Sequence, residues 1–286
     1  MSTVSALQHV PCGLGEGILW HPLRQQLFWI DIIEHRLLSL KGEEILDIPL
    51  ERTPSALGWV DEDSLLLADE AGLHLLDIEQ QSLKLVVGFE HDALTHRSND
   101  GRADPWGGFW ISTMHRDAVE GEAKFYRYYQ GKLTEVISNI TIPNGCCFSA
   151  DKQWVYFTNS PTAQIMRMKL NKETGWPTSE PELFIDHSDN FREPDGAIVA
   201  DNGDMISAHW GAGELVRYSP KGEVIARYVV PVKQPTCPAF GGENLDTLFV
   251  TSAKVGIEDR SDTEGKTLVL TGVGKGIAEP AVKLTL

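Results

Sequence analysis

The most regular feature of the chain is a short apolar run that keeps returning. Residues 27–30 (LFWI), 65–68 (LLLA), 109–112 (FWIS), 155–158 (VYFT), 205–208 (MISA) and 248–251 (LFVT) begin about 40–50 residues apart, the spacing of propeller blades and related repeat arrays. A turn segment precedes each run: HPLRQQ, VDEDS, DPWGG, SADKQ, ADNGD and GGENLDT. Several runs lead into a second turn and a second strand, as in RLLSL after IIEH, LHLLD after DEAG, QIMRMKL after NSPTA and ELVRYS after WGAG. Residues 65–77 fit strand–turn–strand better than helix, because Gly72 interrupts them and no 3.6-residue apolar period is sustained. The unit is therefore a chain of strands joined by hairpin turns, the grammar of a four-stranded antiparallel blade. Six units fill the sequence with no linker or shift in composition. The pattern predicts an all-β, six-bladed β-propeller forming a single domain over residues 1–286. A β-sandwich would account for the strands but not for their recurrence.

Composition narrows the functional classes. The formal net charge of −16 argues against nucleic-acid binding, which needs a positive face, and more weakly against an anionic membrane surface. Most of that charge is a solvated acidic surface. No apolar run approaches the roughly 20 residues that span a bilayer. The N-terminal segment MSTVSALQHVPCGLGEG lacks the basic and apolar regions of a signal peptide. These features predict a cytoplasmic protein with no nucleic-acid or membrane partner; a monomer or weak homo-oligomer is expected. Cys12, Cys146, Cys147 and Cys237 contain no CxxC pair, and vicinal Cys146–Cys147 suits a disulfide framework poorly. Four free thiols are expected.

Candidate chemistry lies where the innermost strands begin. Polar residues there, drawn from different blades, converge on the central channel. Successive units offer Glu16 in GEGILW, Asn99 in RSNDG, Asn144 in IPNG and Asp195 in EPDG, each close to a glycine. Asn-Gly and Asp-Gly are also ordinary turn pairs; equivalent placement in different blades is what raises the functional reading. Carboxylate and amide oxygens suit one hard divalent cation, Ca²⁺ or Mg²⁺, and accept Mn²⁺, Zn²⁺ or Fe²⁺. Few protein ligands leave positions open for water or a substrate carbonyl. Arg97 precedes Asn99 by two residues, so on a strand both face one side, where they can anchor a polyhydroxylated substrate; a surface salt bridge is the plain alternative. His209, beside Trp210, either faces the channel or packs. GLGEG (residues 13–17) and GVGKG (residues 272–276) lack the context of phosphate loops and are turns.

The chain also resembles the senescence-marker-protein, gluconolactonase and luciferin-regenerating-enzyme family. The likeness rests on GEGILWHP, RSNDGRADPWGGFWISTM, IPNGCCFSADKQWVYFTNS, EPDGAIVADNGDMISAHWGAGELVRYSP and PTCPAFGGENLDTLFVTSA, in order along nearly the whole chain. The resemblance implies a six-bladed propeller that hydrolyses sugar (aldono)lactones with one divalent metal. It implies metal ligation by Glu16, Asn144 and Asp195, substrate contact by Arg97 and Asn99, and a general acid/base role for Asp195. Some relatives also contact substrate through a glutamate near the strand AKFY, for which Glu120 and Glu122 are the nearest residues here. In NGCCFS the two thiols stand where the family carries apolar residues, and they are expected to pack as small apolar groups. The alternative is a calcium-binding regulatory propeller without catalysis.

Overall fold

The computed structural model describes residues 2–190, 192–259 and 261–285. Among these, twenty-four strands form six four-stranded antiparallel sheets, with two short 3₁₀ turns, Ser160–Thr162 and Ser188–Asn190. The sheets are the blades of a six-bladed propeller. Their innermost strands are Gly15–His21, Pro54–Asp61, His96–Ala103, Pro143–Phe148, Glu193–Val199 and Pro235–Gly241 for blades 1 to 6. Each packs against the next, and the sixth closes on the first. The recurring apolar runs are the second strands.

Burial explains why those runs are apolar without alternation. A second strand such as Gln26–Asp31 is buried along its whole length, between neighbouring sheets, whereas the outer strand Glu44–Pro49 is mostly exposed. The core is accordingly divided into six clusters, one per interface between adjacent blades. Trp110 and Phe125 of blade 3, for example, meet Phe148, Val155 and Phe157 of blade 4. Adjacent strand residues point to opposite faces, so Cys146 enters the cluster between blades 3 and 4 while Cys147 enters that between blades 4 and 5. All four cysteines are buried free thiols. Burial pushes Cys147 up to about 12, so these thiols act as apolar filling.

Two features of closure carry no repeat signal. Thr3–Ala6 pairs with Leu268–Thr271 and supplies the outer strand of blade 6. The C-terminal segment then runs across the ends of the innermost strands. Asp201 N donates to Lys275 O (2.9 Å), Trp59 Nε1 to Glu279 O (2.8 Å) and Lys283 N to Gly107 O (2.8 Å). The buried Arg102 guanidinium pairs with the Glu279 carboxylate and donates to Cys146 O. This strap lies across the end of the channel opposite the strand starts.

Candidate active site

The strand starts are built alike. Each innermost strand carries a β-bulge directly after one ladder pair: Gly15↔Asp31 and Glu16↔Ile30 in blade 1, Ser98↔Thr113 in blade 3, Asn144↔Thr158 in blade 4 and Pro194↔His209 in blade 5. The bulge bends the strand and re-aims one side chain. In register, the aimed residues are Glu16, Ser55, Asn99, Asn144, Asp195 and Thr236. The four sequence candidates thus share one level of the channel. In blades 1 and 4 the bulge takes a left-handed backbone at Gly17 (φ +56°) and Gly145 (φ +65°), where glycine carries no steric penalty.

Glu16, Asn99, Asn144 and Asp195 line the floor of a cavity of about 620 Å³, together with Arg97. Each of the four is only 6–7% exposed. Their side chains are ordered by a relay across three blades. Arg97 Nη1 donates to Asn99 Oδ1 (2.7 Å), and Asn99 Nδ2 donates to Asn144 Oδ1 (2.8 Å) and Pro143 O (2.9 Å). Asn144 Nδ2 donates to Ser160 Oγ (3.0 Å), which donates to Pro194 O (2.8 Å). A guanidinium only donates, so this chain of bonds sets which end each amide presents.

The carboxylates are left short of partners. Glu16 receives the N–H of its neighbour Gly17 (3.2 Å), and Asp195 that of Gly196. Burial raises both well above the ordinary carboxylate range. Asp195 and Asp100 add to the effect on Glu16, and Asp100 and Glu193 to that on Asp195. Arg97 is held down to about 10 by burial and by Arg116. Two buried carboxylates that repel one another, beside an amide with a fixed orientation, form a donor set that a small divalent cation would satisfy. Among the described residues no group of three or more His, Cys, Asp or Glu is arranged for a metal; the set here has an amide as its third member.

Other sequence readings resolve differently. His209 packs: it is fully buried, its Nε2 lies 3.0 Å from Tyr218 Oη, and burial holds it at about 3. Trp210 does reach the cavity. Glu120 and Glu122 are exposed and do not line it; Glu122 lies 3.6 Å from His96 instead.

The structure adds residues that the sequence reading passed over. Asp100 occupies the position taken by glycine in blades 1, 4 and 5, and accepts the N–H of Cys146 (2.8 Å) beneath the floor. Glu193 lines the wall two residues before Asp195, as Arg97 does before Asn99. Its two-residue offset on a strand is the same signal that marks Arg97. Ser160, Arg116, Thr53 and His35 reach the cavity from turns, where strand spacing gives no signal.

The model of the SMP-30/gluconolactonase/LRE-like region matches residues 14–254. The chain belongs to this family. A candidate sugar lactone lactonase of Rhizobium meliloti is 37% identical over 95% of this chain and 94% of its own. A pentonolactonase of Haloferax volcanii is 34% identical over 92% and 89%. The crystal structure of a calcium-binding protein, regucalcin, from Agrobacterium tumefaciens superposes with a TM-score of 0.94. It is 36% identical and covers 98% of this chain and 97% of that one.

Proposed function

We propose that this protein hydrolyses a sugar lactone to its aldonic acid, using one divalent metal held by Glu16, Asn144 and Asp195. The observation that carries the reading is the cavity floor: two buried carboxylates that feel the Arg97 charge yet make no direct ion pair among the described residues, and an oriented amide, facing a space large enough for a small-molecule substrate. Lactonase relatives covering nearly the whole chain support the substrate class.

The chemistry supplied by a cation in that seat is polarisation of the lactone carbonyl. The chain's own residues do the rest. Arg97 and Asn99 hold sugar hydroxyls and fix the carbonyl over the floor, an orientation effect. Asp195, with few hydrogen bonds of its own, takes the proton of the attacking water. The water oxygen bonds to the carbonyl carbon, the ring C–O bond breaks, and the ring oxygen leaves as a hydroxyl carrying the proton that Asp195 returns. The apolar walls, Ile32, Ile33, Met114 and Ile142, pack the sugar ring and exclude water.

A calcium buffer is the weaker reading, because three protein oxygens are few for tight Ca²⁺ binding and an open 620 Å³ cavity beside them is superfluous to it. The test is proton release from aldonolactones, glucono-1,5-lactone first, after metal stripping and after re-addition of Ca²⁺, Mg²⁺, Mn²⁺ or Zn²⁺. Turnover above the spontaneous rate that vanishes with chelator is expected. A spontaneous rate under every metal would overturn the reading.

A further inference from the structure

The arginines divide sharply. Of the eleven among the described residues, nine form an ion pair with a carboxylate. The two that do not, Arg97 and Arg116, both line the candidate active-site cavity. In a chain with 41 acidic residues against 25 Lys and Arg, a half-buried guanidinium at the floor and a solvent-exposed one at the rim, neither in an ion pair, leave one pocket with two positive groups that an anionic ligand can reach.

Their settings differ. Arg97 is engaged at the floor with Asn99 Oδ1 and Ser98 O (2.9 Å). Arg116 stands further out, directly after the strand Phe109–His115, with its backbone pinned by a bond from its N–H to Thr95 O (2.8 Å). Its guanidinium makes only long contacts, 3.3 Å to Ala93 O and 3.5 Å to Thr53 Oγ1. Thr53 Oγ1 in turn lies 3.3 Å from His35 Nε2, and Thr53 and His35 line the cavity beside Arg116. The guanidinium is thus tethered by neutral groups at the rim, with N–H donors to spare.

Hydroxyl groups of a neutral sugar do not need a second guanidinium. A carboxylate, phosphate or sulfonate does, because the planar fork matches such anions with paired, charge-assisted hydrogen bonds. The floor carboxylates Glu16 and Asp195 would repel such a group, so it must lie away from them. We infer that the substrate is a sugar lactone bearing an anionic group at the end remote from its carbonyl, and that Arg116 is the residue that selects it. This rests on the lactonase reading above and narrows it.

The experiment compares glucono-1,5-lactone with 6-phosphoglucono-1,5-lactone and a glucarolactone, as kcat/KM, for the metal-loaded wild type, Arg116→Gln and Arg116→Glu. Calorimetric binding of gluconate, 6-phosphogluconate and glucarate to the same proteins gives a readout independent of turnover. Arg52→Gln, an arginine paired with Asp69 outside the cavity, is the control. At least one charged lactone is expected to be favoured over the neutral one on the order of tenfold or more, the scale of a hydrogen bond to a charged group. The phosphate and carboxylate arms tell which anion fits. Arg116→Gln should remove most of that ratio, Arg116→Glu should invert it, and Arg52→Gln should leave it unchanged. Equal handling of charged and neutral ligands by the wild type, or a ratio insensitive to both Arg116 substitutions, would overturn the inference and leave the lactonase reading standing. Anion-selective binding lost in Arg116→Glu, with no lactone hydrolysed, would uphold Arg116 and sink the lactonase reading instead.

Discussion

An asparagine amide offers oxygen at one end and hydrogen at the other, and Asn144 can serve a cation only with its oxygen. Its orientation depends on Asn99 donating to Oδ1 and Ser160 accepting from Nδ2. Ser160→Ala should therefore weaken metal affinity several-fold without touching the ligands, measured by titration calorimetry; unchanged affinity would show that the amide needs no such support. The same bonds revise the division of labour that the sequence suggests between ligands and substrate contacts. Asn99→Ala should lower both metal affinity and turnover, whereas Arg97→Ala should raise KM with bound metal near normal. Glu16 and Asp195 also set a pH dependence. Both are raised above their usual range in the metal-free fold, so the folded chain holds these protons more tightly than the unfolded one. Their contribution to stability falls as pH rises from the ordinary carboxylate value, about 4, through the folded one. A cation competes with the same protons and binds better over that interval. The rise in Tm on adding divalent metal should therefore be larger at pH 8 than at pH 5. Equal rises would mean the carboxylates do not take part.

Each site side chain is aimed by a bulge, and each bulge depends on its backbone. A methyl group on Gly17 would sit 2.6 Å from Ser55 O at φ +56°, and one on Gly196 would sit 2.7 Å from Cys237 Cα. Gly17→Ala should cost at least about 1–2 kcal/mol from the left-handed backbone alone, read from urea melts, and should lower metal affinity with it. A neutral outcome would mean that the bulge relaxes freely. Much of this element was legible in advance. The second strands declare themselves because burial on both faces forces continuous apolar runs, and the polar residues Glu16, Asn99, Asn144 and Asp195 stand at one register because every blade repeats the same bulge. Arg116 and Ser160 were not legible, since turns carry no spacing rule that says which way they face. His209 misleads for a related reason: it pairs with Pro194 beside the site, but its ring points into the packing around Tyr218 and His187.

At the scale of the whole molecule, the ring is closed by contacts between distant parts of the chain. TVSA at residues 3–6 is too short to announce a strand, and its partner Leu268–Thr271 lies at the far end of the sequence. The C-terminal strap has no periodicity because it pairs with turns of several blades. Its anchor is the buried Arg102–Glu279 pair. Breaking one side of such a pair strands a charge, so Glu279→Ala should destabilise the fold by about 3–5 kcal/mol. Because the strap lies at the opposite end of the channel, kcat/KM for lactone should stay near wild type at a temperature where the variant is folded; a matching loss of activity would place the strap in the site. The strap at one end leaves the acidic cavity at the other as the candidate site, and the proposed metal-dependent lactonase activity depends there most on Asp195. The most direct measurement follows lactone hydrolysis by Asp195→Asn and Glu16→Gln across a metal titration, with bound metal determined in parallel. Excess metal should partly restore Glu16→Gln, because mass action refills a weakened seat. Asp195→Asn should remain on the order of 10²–10⁴ slower with metal bound, the usual loss when a general base is removed. Near wild-type turnover by metal-filled Asp195→Asn would contradict the account.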